Sequence, residues 1–463
     1  MSARDQGVLA PFRSLLGAQS LGTVLGLAFW ILVARTVDAP EVGVAAAAIT
    51  TQTLLGLLVS LGLGTHLVAE LPTHTVARQH QLLRRSVLAV GVVGAAAGLL
   101  LVLAAGPLGL LGESLGRAVA DPLDASLMVL GVVGAGWALV VDEATLGLRR
   151  SSLQVWRNLC ASGLRFPLVG ALLLLGQRDA TALQLAWVAP LVLSVGLLVA
   201  AVHRDRPGGR SADPEVPAPR LAEDVRRAAR PALRHQGLNL AVAAATQAVP
   251  VVAAVALAPA DNAAFIIAWR VATVAFLPPY LVAVALYAHG ATLDADRFRR
   301  TMGRTLPAAL LLSLVLSLGA VLLGRPGLWV FGDGYADASY LVLCLLVPAG
   351  TWMVVKDHLV AWWRAQQQFR LATRLAAASV LLEVGAASAG AVIGGALGLA
   401  VGWLAGMALS VVLGWRWWSR PLAGLPWVLP RPTRGPSTGG TGPTATSTAT
   451  STTTSTTTPG RNR

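Results

Sequence analysis

Charged residues are scarce in this chain. Only 13% of its 463 residues are Asp, Glu, Lys or Arg, against about 25% in a typical soluble domain. Hydrophobic residues make up 55% of the chain, and the mean hydropathy is +0.65. So few charges cannot cover the surface of a soluble protein of this length, which indicates that lipid is the main solvent.

Cysteine and histidine are also too sparse for several kinds of chemistry. Cys160 and Cys344 both fall in apolar stretches, so a disulfide framework or a cysteine metal site is not expected. His66, His74 and His80 share one loop without the spacing of metal ligands. No nucleotide-binding loop is present either, and we predict no cofactor, no metal and no intrinsic ATPase.

Twelve apolar stretches are each long enough to cross a bilayer. A transmembrane helix needs about 20 predominantly apolar residues. The pattern predicts six spans, a polar linker, and six further spans. They lie near residues 14–35, 42–64, 86–106, 126–147, 159–176 and 183–203, and then near 234–258, 263–288, 305–324, 340–358, 372–392 and 397–415.

The basic residues favour one side of this predicted topology. The N-terminus, the even-numbered connections and the C-terminal tail, with their membrane edges, hold 30 of the 36 Lys and Arg residues. Because cytoplasmic loops carry the excess of basic residues, we place both termini in the cytoplasm of a plasma-membrane protein. The net charge of +14 is spread over these loops rather than concentrated in one soluble module, so no nucleic-acid partner is expected.

An internal duplication is the most informative pattern. With a shift of 221 residues, Arg13 falls on Arg234 and residues 39–43 fall on 260–264; with a shift of 214, Arg150 falls on Arg364 and residues 182–186 fall on 396–400. Six spans per repeat give both repeats the same orientation. The sequence therefore predicts an all-α polytopic protein with about twelve helices in two parallel six-helix bundles around a central cavity, a known transporter plan.

The same reasoning predicts four segments along the chain. Residues 1–203 form the first bundle, 204–230 a cytoplasmic linker, and 231–420 the second bundle. Residues 421–463 are rich in Thr, Ser and Pro, with little to bury, and are predicted to be a disordered cytoplasmic tail.

Several short motifs resemble those of Wzx-type polysaccharide and oligosaccharide flippases, within the multidrug/oligosaccharidyl-lipid/polysaccharide export superfamily. Residues 32–37 and 40–43 (LVARTV and PEVG) are similar to that family's A-R-x-L-G-P-x-x-F-G opening, although Asp38-Ala39-Pro40 replaces its Gly-Pro and Val42 its aromatic residue. Further resemblances lie at 61–64 (LGLG), 70–72 (ELP), 142–158 ending in WRN, 265–270 (FIIAWR) and 398–403 (GLAVGW).

The resemblance implies a flippase, not an enzyme. Its substrate would be an anionic, polyprenyl-diphosphate-linked oligosaccharide, a polysaccharide precursor moved to the outer leaflet by alternating access, with membrane lipid, a polysaccharide polymerase and glycosyltransferases as partners. A drug/cation antiporter of the same superfamily is an alternative, although residues 14–35 lack the carboxylate it would favour. A membrane glycosyltransferase using polyprenyl-phosphate sugars is the other alternative, with Asp38 and Glu41 in the first outer loop.

Four residues are candidates for contact with the substrate. Arg270 lies about eight residues into the eighth span, where a charge costs about 2.5–3.5 kcal/mol unless it faces water or a partner. Its planar guanidinium suits bidentate binding of a diphosphate, and pairing inside the protein is the alternative role. Arg165, Gln247 and Arg35, the last at a membrane edge, complete the set.

Three acidic residues are candidates for coupling or gating. Glu383 lies near the middle of the eleventh span and would pair with an intramembrane Arg, for which Arg270 is the first candidate, or take up a proton. Asp142 lies near the end of the fourth span, where neutralising Arg149 and Arg150 is the simpler role. Asp357 has the corresponding position in the second half, with pairing to the adjacent lysine as its simpler role.

Overall fold

A computed structural model describes residues 22–60, 62–204, 221–290 and 293–414. Every regular element in this described part is helical. The first half contains α1 Gly22–Thr36, α2 Ala39–Val59, α3 Leu63–Glu70, α4 Val76–Ala105, α5 Gly112–Arg117, α6 Pro122–Gly147, α7 Ser151–Leu174 and α8 Ala180–Arg204. The second half contains α9 Leu221–Ala256, α10 Pro259–Gly290, α11 Ala295–Trp329, α12 Asp333–Ala365 and α13 Phe369–Leu413.

The predicted number of spans agrees with these helices. By length and composition, eight helices in the described part can cross a membrane, namely α2, α4, α6, α8 and α10 to α13. Helix α1 and the apolar part of α9, Leu240–Ala256, are shorter, and α7 has the full length but more polar residues. Because α13 is folded back on itself, it contributes two spans, and the prediction of about twelve is confirmed.

The fold-back of α13 depends on glycine. Gly394 and Gly395 have non-helical backbone angles, and Gly395 has a φ of +57°, which side-chain-bearing residues rarely adopt. The two arms run antiparallel and approach so closely that Cβ atoms at Gly390, Gly398 and Gly402 would collide with backbone atoms of the opposite arm. Small residues permit such close helix packing in lipid.

Matching turns in the two halves support the internal duplication. Helix α1 ends at Thr36 and α2 begins at Ala39. In the second half, α9 ends at Ala256 and α10 begins at Pro259, so both positions are offset by 220 residues. The turn before α7 and the turn before α13 each contain a non-glycine residue with a φ of +57°, Arg149 and Gln367, an offset of 218. At this turn the predicted offset of 214, which paired Arg150 with Arg364, is therefore wrong by four residues, because Ala- and Leu-rich helices look alike when shifted by about one turn.

The halves join tightly at one end of the molecule, which we call the closed end. It contains the α1–α2, α9–α10 and α11–α12 connections. Asn262 donates a hydrogen bond of 2.8 Å from Nδ2 to the backbone oxygen of Gly43, and Ser114 donates one of 3.2 Å to that of Leu257. A Cβ at Gly43 would collide with Pro259, so α2 and α10 are in backbone contact there.

Away from the closed end the two halves have separate cores. A shared core includes residues from α1 and α2 and from α9 and α10, such as Trp30, Ile49, Val249 and Phe265. Toward the opposite end, one core contains residues of the first half alone and another contains residues of the second half alone. Between α7 of the first half and α10 of the second, the halves therefore part toward this open end and leave a cavity, whereas α3 still contacts α9.

Two predicted boundaries need comment. The second span is not one helix, because α2 and α3 are separated near Gly62, whose φ is +71°. Helix α9 begins at Leu221, inside the predicted linker. Residues 205–220 and the predicted tail lie outside the described residues, and the domain boundaries stay predictions.

Candidate substrate cavity

A cavity of about 830 Å³ lies between the two halves. Helices α1, α7 and α8 of the first half and α9 and α10 of the second half form its walls. It includes the N-terminal turns of α1 and α7 in the described part, so it opens toward the open end. The residues that matter below are Trp30, Gln154, Arg157, Asn158, Ser162, Arg165, Trp187, Thr246, Gln247, Trp269, Arg270 and Thr273.

Helix α7 brings a polar stripe to the cavity. Residues 154, 157, 158, 161, 162 and 165 all line it, which is the spacing of one helix face. The stripe explains why α7 is less apolar than its neighbours, since this face meets a polar cavity rather than lipid. Arg165 lies at the inner end of the stripe, with its guanidinium carbon 3.4 Å from the ring centre of Trp187.

Arg270 reaches the same cavity from α10 in the other half. Its guanidinium carbon is 5.4 Å from the ring centre of Trp30. The Nε atoms of Arg165 and Arg270 are buried without a hydrogen-bond partner, and no salt bridge between described residues includes either side chain. Arg165 experiences electrostatic repulsion from Arg270 and from Arg157. Two half-buried arginines thus line one cavity whose described lining contains no carboxylate.

A third arginine, Arg157, was not among the predicted site residues. It lines the cavity but forms a bidentate ion pair, with Nε and Nη2 donating hydrogen bonds of 2.6 Å to Oδ1 and Oδ2 of Asp142. Asn158 supports the pair with a 3.3 Å hydrogen bond from its amide to Asp142. The eight-residue spacing between Arg157 and Arg165 is the sequence signal for a shared face. Asp142 therefore neutralises Arg157, not Arg149 and Arg150 as predicted.

Of the two remaining candidates for substrate contact, the structure places one at the cavity and the other at the closed end. Gln247 lines the cavity from α9, as predicted. Arg35 does not: it lies at the closed end, exposed, and donates hydrogen bonds of 2.5 and 2.9 Å to the backbone oxygens of Val330 and Trp329. The sequence showed that Arg35 ends a span, but not that the halves close over that end.

Glu383 and Asp357 also lie away from Arg270. Glu383 Oε1 accepts hydrogen bonds from Lys356 and, at 2.7 Å, from Ser379. The expected pairing of Glu383 with Arg270 is thus wrong, as is the pairing of Lys356 with Asp357. These residues line a small separate cavity of about 50 Å³ inside the second half.

Three solved structures share this fold. A multidrug resistance MATE family transporter of the MOP superfamily, in an inward-facing conformation, matches with a TM-score of 0.68 and 16% identity over 86% of this chain and 94% of its own. The lipid II flippase MurJ, in an inward closed conformation, matches with a TM-score of 0.65 and 11% identity over 87% of each chain. A point mutant of the Vibrio cholerae MATE transporter VcmN matches with a TM-score of 0.59 and 14% identity over 90% of this chain and 97% of its own.

These matches establish the class of fold. The chain has the two-lobed, all-helical fold of multidrug and lipid-flipping membrane transporters, as the motif resemblance predicted. No protein-family model and no curated protein matches the sequence.

Proposed function

We propose that this chain moves an anionic, lipid-linked oligosaccharide across the plasma membrane by alternating access. The observation that carries the proposal is the charge of the cavity. Among its described lining residues, three are arginines and none is Asp or Glu. Arg157 is neutralised by Asp142, which leaves Arg165 and Arg270 as two positive charges that no described carboxylate compensates.

Two such charges suit a diphosphate. Each guanidinium offers a planar set of donors that can bind phosphate oxygens in bidentate fashion. Arg165 belongs to the first half and Arg270 to the second, so one anion between them would contact both halves and relieve their mutual repulsion. The cavity volume of about 830 Å³ lies within the range of about 300–1,000 Å³ for small-molecule sites and is sufficient for a headgroup. The lipid tail would stay in the bilayer.

The alternative activities have less support from this geometry. A cationic drug would enter a cavity whose described lining repels it. Of the two acids considered for a glycosyltransferase, Glu41 pairs with Arg117 and accepts a 2.9 Å hydrogen bond from the backbone N–H of Ala180. That carboxylate is thus occupied in holding the closed end. The fold neighbours are likewise transporters and not enzymes.

The direction of transport follows from the predicted topology. If basic loops mark the cytoplasm, the open end faces the cytoplasm, because the α6–α7 and α12–α13 connections lie there. The substrate would then load from the cytoplasmic leaflet and leave when the closed end opens. Glycosyltransferases that make the substrate and a polymerase that consumes it are the partners this proposal requires.

Export in a deletion strain tests the proposal. Arg270→Ala should reduce polymer export roughly ten- to hundredfold at equal membrane protein level, the equivalent of about 1.5–3 kcal/mol for hydrogen bonds to a charged group. Arg270→Lys should retain part of the activity, since it keeps the charge without the planar fork. Arg325→Ala is the matched control, because this arginine is 65% exposed and pairs with Asp337 outside the cavity. Full export by Arg270→Ala would refute the proposal.

A further inference from the structure

A row of uncharged polar side chains continues from Arg165 toward the open end. Ser162, Asn158 and Gln154 follow one another at intervals of four residues on the face of α7 that lines the substrate cavity. At 1.5 Å per residue, Gln154 lies about 12 Å from Ser162 and about 16 Å from Arg165 along the helix axis. The transport proposal uses the two arginines but assigns no role to these three residues, which we call the α7 row.

A single carboxylate behind the α7 row holds it in place. Asp142 on α6 accepts two hydrogen bonds of 2.6 Å from Arg157. The same carboxylate accepts hydrogen bonds from the side-chain amides of Asn158, at 3.3 Å, and of Gln154. Asn158 also accepts a 2.8 Å hydrogen bond from Arg157 Nη2 and donates one of 3.1 Å to the backbone oxygen of Gln154. Both amides are thus oriented before a ligand enters, which reduces the conformational entropy lost on binding.

Two groups of the α7 row remain available to a ligand. Gln154 Oε1 is buried at the cavity wall without a hydrogen-bond partner. The hydroxyl of Ser162 is on a half-buried residue, and no hydrogen bond from the described residues reaches it. An amide oxygen only accepts, so its partner must be a donor, which an ionised diphosphate is not. A sugar hydroxyl both donates and accepts, so the α7 row fits a ligand with hydroxyl groups beyond its diphosphate.

The charges behind the α7 row disfavour an acidic sugar. Arg157 and Asp142 neutralise each other, so this arginine offers no free positive charge. Glu143, which interacts electrostatically with Asp142, adds to the repulsion of an anion. A carboxylate on the sugar would also meet the acceptor Oε1 of Gln154, and neither group could donate to the other. The negative charge of a fitting headgroup therefore belongs to its diphosphate.

We propose that the α7 row binds the first two sugars of the lipid-linked headgroup and that both sugars are uncharged. With the diphosphate between Arg165 and Arg270, the first sugar lies beside Ser162 and forms a hydrogen bond with its hydroxyl. The next sugar donates a hydrogen bond to Gln154 Oε1, because the two residues are about 12 Å apart, further than one sugar ring extends. This inference rests on the proposed transport function and adds to it the kind of sugar that the cavity accepts.

Binding of short-chain substrate fragments tests the proposal. The probes are citronellyl diphosphate and its esters with one or two glucoses, with one or two N-acetylglucosamines, and with one glucuronic acid, each titrated calorimetrically into the protein in lipid nanodiscs. Each uncharged sugar of at least one series should tighten binding about two- to tenfold, the contribution of a net hydrogen bond. Glucuronic acid should not tighten it. No gain from either uncharged series, or an equal gain from glucuronic acid, would overturn the proposal.

Variants on α7 assign each sugar to its residue. Ser162→Ala should remove the gain from the first sugar and Gln154→Leu the gain from the second, and both variants should bind citronellyl diphosphate as the parent does. Ser152→Ala is the matched control, because Ser152 is exposed on the same helix and does not line the cavity; it should keep both gains. A gain retained in Ser162→Ala or Gln154→Leu, or a loss of affinity for citronellyl diphosphate in either, would refute the assignment.

The same titrations separate this inference from the transport proposal. Arg270→Ala should weaken binding of every probe by the same factor and leave the gain per sugar intact, because this arginine belongs to the anion site. If the parent protein binds citronellyl diphosphate and no sugar adds affinity, the sugar site is wrong and the anion site is supported. If the parent binds none of the probes, both proposals are wrong.

Discussion

Breaking the ion pair between Arg157 and Asp142 should destabilise the first half of the protein. Both side chains are largely buried, at 4% and 13% exposure. Arg157→Met would leave a buried carboxylate without its cationic partner, with hydrogen bonds from the uncharged Asn158 and Gln154. Asp142→Leu would leave a buried guanidinium. We expect each single variant to lose about 3–5 kcal/mol of unfolding free energy, as is typical when one partner of a buried pair is removed.

The double variant should recover much of that loss, since it buries no unpaired charge. Neutral hydrogen bonds within membrane proteins have coupling energies of about 0.6 kcal/mol on average. Here two charge-assisted bonds of 2.6 Å connect the partners, and each such bond contributes about 1.5–3 kcal/mol. We therefore expect a coupling energy of at least about 2 kcal/mol.

Equilibrium unfolding in mixed micelles, followed by circular dichroism, measures all four corners of this double-mutant cycle. Arg149→Met is the matched control, since Arg149 is exposed and was the partner expected from sequence. It should unfold like the parent protein. A coupling energy at or below about 0.6 kcal/mol, or a large loss in Arg149→Met, would refute the assignment of Asp142 as a structural partner of Arg157.

Three further outcomes are expected. Gly402→Leu should abolish the monodisperse folded protein in size-exclusion chromatography, because its side chain would meet the backbone of the opposite arm, whereas Gly385→Leu, with open space around it, should not. Trp187→Leu should lower export about two- to thirtyfold by removing the ring beneath Arg165, a cation–π contact of about 0.5–2 kcal/mol, whereas the exposed Trp156→Leu should leave export unchanged. A reporter fused after Arg210 should read cytoplasmic, and an external signal would reverse the proposed orientation.

The sequence was sufficient for the class of fold because that class depends on local composition. Runs of about 20 apolar residues must become helices in lipid, since no other element except a closed barrel satisfies the backbone there. The break between the last two spans was likewise predicted at residues 393–396 and falls at Gly394 and Gly395. Arg270 was identified on the same basis, because a mid-membrane arginine is costly unless it faces a cavity or a partner.

The ion-pair partners of the buried acidic residues could not be predicted from the sequence, because several helices each offer a plausible opposite charge. Asp142 was assigned to the arginines nearest in sequence, yet its partner is on the next helix, 15 residues away. Glu383 was assigned to an arginine and pairs instead with Lys356. Which helices are neighbours, and how each is rotated, depends on close packing by small residues that the hydrophobic pattern does not encode.

The sequence by itself determined that this protein is a helical membrane protein built from two repeats, and that a few charges lie where lipid would not tolerate them. Only the tertiary structure decided which of those charges are neutralised. The two halves pack together at one end, where Arg35 of the first half donates hydrogen bonds to backbone oxygens of the second half. On the side of α1, α7 and α10 they part toward the other end, so Arg165 and Arg270 line one cavity whose described lining contains no carboxylate. The cost of burying a charge in lipid can be judged from the surrounding sequence. Whether an opposite charge neutralises it depends on neighbours that only the folded chain brings together.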